Sequence, residues 1–85
     1  MLLGTGNGLD AQAWAEIADV PESGVQLILD SLREAGIPAH AARRAWHDRR
    51  APFRIWVGTW YYSRAEDVIG RALLRMRRDD RQVGG

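Results

Sequence analysis

Residues 21–36, PESGVQLILDSLREAG, carry their own start and stop signals and one apolar stripe, so they specify a helix that must lie against another layer. Pro21 suits a first helical turn, where a missing N–H leaves nothing unpaired, and Asp19 stands just ahead as a candidate cap. Glu22 favours the positive end of the helix dipole. Val25, Ile28, Leu29 and Leu32 recur at i, i+3, i+4 and i+7, which is one buried face. Gly36 stands where a helix ends in a left-handed residue.

The segments on either side alternate instead. WAEIADV (14–20) follows Ala13 and places Ala13, Ala15 and Ile17 on one side. IPAHAAR (37–43) does the same with Ile37, Ala39 and Ala41. Farther on, FRIWVG (53–58) sets Phe53, Ile55 and Val57 against Arg54 and Trp56. Ser63 and Glu66 have the spacing of a capping box, and Ala65, Ile69, Ala72, Leu73 and Met76 keep helical spacing behind it. Residues 43–52 have no clean period, end in Pro52 and read as a loop. The order is β-α-β-β-α, an α+β class. Its economical packing is a three-stranded, antiparallel-type sheet with two helices on one face.

A glycine- and asparagine-rich start predicts a flexible tail over residues 1–12, and a charged, glycine-ended finish predicts another over 79–85. Residues 13–78 form the expected single domain, near the size at which one core is only marginally stable. Self-association commonly supports such a domain. The absence of cysteine from the chain removes disulfides, thiolate metal sites and cysteine catalysis. An apolar start of only Met-Leu-Leu is short for a secretory leader, and no apolar run approaches membrane-spanning length. The expected location is the cytoplasm, with no membrane partner.

The helix ending in Leu32–Ala39, with REAGIPAH at 33–40, the following strand, loop and strand, and the S-R-A-E-D opening of the second helix resemble a known family. These are the DUF2007-like prokaryotic signal-transducing protein domains, with a ferredoxin-like or GlnB-like β-α-β-β-α core. The likeness spans residues 14–76. It implies that fold and a bacterial regulatory or interaction role, and it brings no catalytic or ligand residues. The chain departs from the family in its arginine-rich loop with Trp46 and in the run Trp60-Tyr61-Tyr62.

Enzyme chemistry finds little support in the residues. GTGNG (4–8) lacks the G-x-G-x-x-G spacing and the strand that must precede it. His40 and His47, with Asp48, are too few and too spread to specify a metal site, and no cofactor is expected. Ser23, Ser31 and Ser63 sit in helices or at a cap, with no triad or nucleophile elbow. The expectation is a non-enzymatic protein.

Binding is the open question. The formal net charge is only +1, yet residues 1–42 hold one arginine against six acids, and residues 43–85 hold eleven arginines against five. Such asymmetry marks an anion-binding face or an internal match between the halves. Strand parity puts Trp14, Glu16, His40, Arg54 and Trp56 on the face away from the helices, so Trp14, His40 and Trp56 form a candidate dimer or docking face. The segment 40–56 adds Arg43, Arg44, Trp46, His47, Arg49 and Arg50 to Arg54 and Trp56 as a candidate binding surface. Its partner is a protein with an acidic surface or a second copy of the chain. The alternative is RNA or DNA, read by arginine forks and stacked rings. A small-molecule sensor is a third class, resting on fold analogy. The plain reading leaves the loop arginines solvated and the tryptophans covered by the tail or the loop.

Overall fold

The computed structural model describes residues 4–43 and 51–83, with side chains over 6–43 and 51–77. In chain order the elements are strand β1 (Gly4–Gly6), strand β2 (Trp14–Val20), helix α1 (Glu22–Glu34), strand β3 (Ala39–Arg43) and strand β4 (Phe53–Gly58). A single 3-10 turn (Thr59–Tyr61) then leads into helix α2 (Tyr62–Val83). The sheet order is β1-β3-β4-β2, and every neighbouring pair is antiparallel. Because β4 runs against both β2 and β3, those two are parallel to each other with β4 between them. This is the split β-α-β core of a ferredoxin-like arrangement, as the residue pattern predicted.

The sheet has four strands rather than three. Gly4–Gly6, expected in a flexible tail, pairs with β3 in the register Gly6↔His40. Side-chain chemistry fixes it there. Asn7 is buried, donates from Nδ2 to the Ile37 carbonyl at 2.8 Å and accepts the Ala39 N–H at Oδ1 at 3.1 Å. Its backbone N–H reaches the Ala39 carbonyl at 3.0 Å. The chain after α2 supplies no described strand to the other edge, so the outer side of β2 has no partner among the described residues.

α1 forms as its signals imply, with one correction at the start. Pro21 is the N-cap residue and no side chain caps the helix, because Asp19 is engaged elsewhere. The end is a Schellman motif: Gly36 at φ +74° donates to the Arg33 carbonyl, and Ile37 donates to that of Leu32, both at 2.9 Å. The carbonyl of Ala35, which the helix leaves free, accepts from Arg64 of α2 at 3.0 Å.

α2 does not open at a Ser63–Glu66 box. It begins at Tyr62, continuous with the 3-10 turn, so Ser63 lies inside the helix. Its far end also differs from expectation: residues 79–83 continue the helix. No glycine or proline interrupts the sequence between Arg71 and Val83, and arginine and glutamine are good helix formers.

Both helices cover one face of the sheet. Val25, Ile28, Leu29 and Leu32 of α1 meet Ala65, Ile69 and Ala72 of α2 and the inward residues Val20, Ile37, Ala39, Ala41, Ile55 and Val57. Each large aliphatic removed from water here contributes roughly 1.5–3 kcal/mol. Leu73, assigned to the core by spacing, is 37% exposed, at the border of the buried stripe.

Candidate functional site

The sheet face away from the helices, uncovered among the described residues, is where the predicted residues converge. Strands β2, β4 and β3 bring Glu16, Trp56 and His40 into line, since Glu16 pairs with Trp56 and Trp56 with His40. Trp14 stands edge-on to the His40 ring, with centroids 4.6 Å apart and planes at 78°. His40 also lies parallel to Trp56, at 5.9 Å and 6°. These are the two favoured aromatic geometries, edge-to-face and offset stacking. All three side chains remain half-buried, so the row presents ring surface to solvent. Desolvation by its neighbours lowers the His40 pKa below 6.5, which keeps the imidazole neutral near pH 7.

One register step along, Arg54 lies between two carboxylates. Its Nη1 reaches Glu16 Oε2 and its Nε reaches Asp19 Oδ1, each at 3.1 Å. The hydrogen bond to Asp19, then the field of Asp19 and Glu16, raise the Arg54 pKa above its ordinary value. A bulge makes this clamp possible. Glu16 opposes Trp56 and Ala18 opposes Ile55, leaving Ile17 as the extra residue. The extra residue reverses the parity of β2, sending Ala18 and Val20 to the helices and Asp19 to the open face beside Arg54. Strict alternation from Trp14 would have done the opposite. The break is visible in WAEIADV, where Val20 falls out of phase with Ala15 and Ile17.

The arginine-rich segment separates into two parts. Arg43, expected among the binding residues, points the other way. It follows Ala39 and Ala41 on the helix side, lies 4.8 Å over the Phe53 ring, and pairs through Nη2 with Glu22 Oε2 at 2.9 Å. Its side chain is 9% exposed, and its Nε is buried without a hydrogen-bond partner among the described residues. Arg43 therefore closes one end of the core, over Phe53 and against Glu22. Arg44, Trp46, His47, Arg49 and Arg50 lie outside the described residues.

Two further features went unassigned in the sequence. Trp60 is 91% exposed, whereas Tyr61 beside it packs against the core. A cleft of about 720 Å³ opens next to Trp60, between the 3-10 turn and the segment leading into β2. Among the described residues no group of three or more His, Asp and Glu is arranged to hold a metal ion. Among them, too, no helix is long and apolar enough to cross a membrane.

Compared with protein-family models, with curated proteins and with solved structures, the chain matches none.

Proposed function

We propose that the protein is a small, non-enzymatic assembly module whose open sheet face binds a second copy of the same chain. The Trp14–His40–Trp56 row carries this reading, because three contacting rings on the sheet face away from the helices are the surface that sheet-on-sheet packing buries. The charge on the face suits a like partner. His40 is neutral, and Arg54 is matched by its own carboxylates, so two copies meet without a strong field of either sign.

Size bears on the strength. Four strands at about 4.8 Å spacing and the length of β4 at about 3.4 Å per residue give a face of about 400 Å² in plan. Ring relief adds to that, and the total still falls toward the small end of specific interfaces. The dimer is accordingly weak and concentration-dependent. Nucleic acid fits this face less well, since Arg54 is held by Glu16 and Asp19, whose two carboxylates outweigh its single charge.

Sedimentation equilibrium over a wide concentration series tests the reading. Wild type should pass from monomer to dimer mass, and Trp56→Glu should remain monomeric with an unchanged circular dichroism spectrum. Trp14→Arg serves as a second variant should the first fail to fold. A wild-type protein that is monomeric at every concentration would overturn the proposal.

A further inference from the structure

The cleft beside Trp60 lies at the end of the sheet where Trp14 pairs with Gly58. Its volume, about 720 Å³, is within the range of small-molecule sites. Ala11, Ala13 and Gly58 line it with minimal side chains, and the rings of Trp60 and Tyr61 contribute aromatic surface. Gly58 has little freedom to be anything larger: a Cβ there would stand 3.1 Å from Ala11 Cβ and 3.2 Å from the Tyr61 ring. Backbone hydrogen bonds hold the frame, from Gly58 to the Pro38 carbonyl and from Thr59 to that of Ala13, both at 3.0 Å.

Among the described residues Asp10 is the one ionisable carboxylate lining the cleft, and no basic side chain of theirs lines it. Its Oδ1 accepts the Ala11 N–H at 2.9 Å, and Oδ2 accepts no hydrogen bond from a described residue. A negative charge next to exposed indole surface, on a floor of small apolar groups, matches one ligand chemistry. A cation with an apolar body gains the carboxylate's field and the negative face of the ring together. An anion would meet Asp10 without compensation, and a neutral apolar ligand would leave the carboxylate unused.

We propose that this cleft binds an organic cation, an alkylammonium or guanidinium group. The group can belong to a free small molecule or to a side chain of a peptide. The site is separate from the open sheet face and does not depend on the dimer.

The test is a titration of the full chain followed by the backbone N–H resonances of Ala11, Gly58 and Thr59, which line the cleft and are retained in every variant. The probes are choline, the neutral isostere in which a tert-butyl group replaces the trimethylammonium, agmatine, and a short capped peptide with one arginine. Choline or agmatine should give a saturable shift, and the neutral isostere should bind about fivefold more weakly or not at all. Asp10→Asn, which keeps the acceptor for Ala11, and Trp60→Ala, which removes a ring that is 91% exposed, should each abolish saturation without unfolding the protein. A peptide that binds more tightly than agmatine assigns the cation to a protein partner; the reverse order assigns it to a free metabolite. Equal binding of choline and its isostere, unchanged binding in both variants, or no saturable shift with any cation would overturn the proposal. Sedimentation of the same variants separates this outcome from failure of the dimer, because neither residue lies on the sheet face.

Discussion

The side-chain amide of Asn7 donates to the carbonyl of Ile37 at 2.8 Å, thirty residues away in the chain, and this bond lies inside the protein. With the Ala39 N–H received at Oδ1, Asn7 satisfies backbone groups just before and at the start of β3. It also anchors β1 at the sheet edge. Asn7→Ala leaves a buried donor and a buried acceptor unpaired, which should cost about 1–3 kcal/mol. Urea unfolding measures the cost, and hydrogen exchange should show faster exchange along β1 and β3 than elsewhere. A loss under about half a kcal/mol would mean that water replaces the amide without penalty.

Two glycines should respond to alanine in opposite directions. Gly36 holds φ +74° at the end of α1, where a side chain is strained, so Gly36→Ala should destabilise by about 1–2 kcal/mol. Gly70 lies on the exposed side of α2, and a Cβ there meets nothing within 4 Å. Gly70→Ala should therefore stabilise by up to about 1 kcal/mol. Thermal denaturation of the two variants beside wild type checks the sign of each.

Arg43 should behave as a core-sealing residue. Arg43→Ala removes the cover over Phe53 and the pair with Glu22, for an expected loss of about 1–2 kcal/mol. Glu22→Gln should cost under about half a kcal/mol, because that carboxylate is 71% exposed. Neither change should alter the monomer–dimer equilibrium once the protein is folded. Unfolding and sedimentation on the same samples decide the matter.

His40 gives the face a pH dependence. Its folded pKa lies below 6.5, so the unfolded chain binds the proton more tightly. Stability is full above the unfolded value, falls as pH drops through 6.5, and levels off once the pH is below the folded value. Among the described residues the neighbours that face it are the rings of Trp14 and Trp56, with Arg54, Glu16 and Asp19 the charged groups on the same face. Urea midpoints at neutral pH and about one unit below the ordinary histidine value should differ for wild type and much less for His40→Gln. Dimer dissociation should follow the same window, as protonation puts a charge between the rings.

Periodicity alone located β2, α1, β3, β4 and the packed stripe of α2, and it placed Trp14, His40, Arg54 and Trp56 on one face. Those assignments needed only the side-chain period of each element, a property of neighbouring residues. What the chain order left open was every choice between distant partners. Gly4–Gly6 has no strand signal of its own, and it becomes a strand because β3 offers a free edge and Asn7 finds two backbone partners near it. Asp19 could cap α1 or meet Arg54, and the bulge at Ile17 selects Arg54, thirty-five residues on. Arg43 belongs to a basic run in sequence, yet its register with Phe53 turns it inward to Glu22. Local spacing determines which face of an element is apolar. Only the assembled sheet determines which charges and edges meet, because that depends on register between segments far apart in the chain.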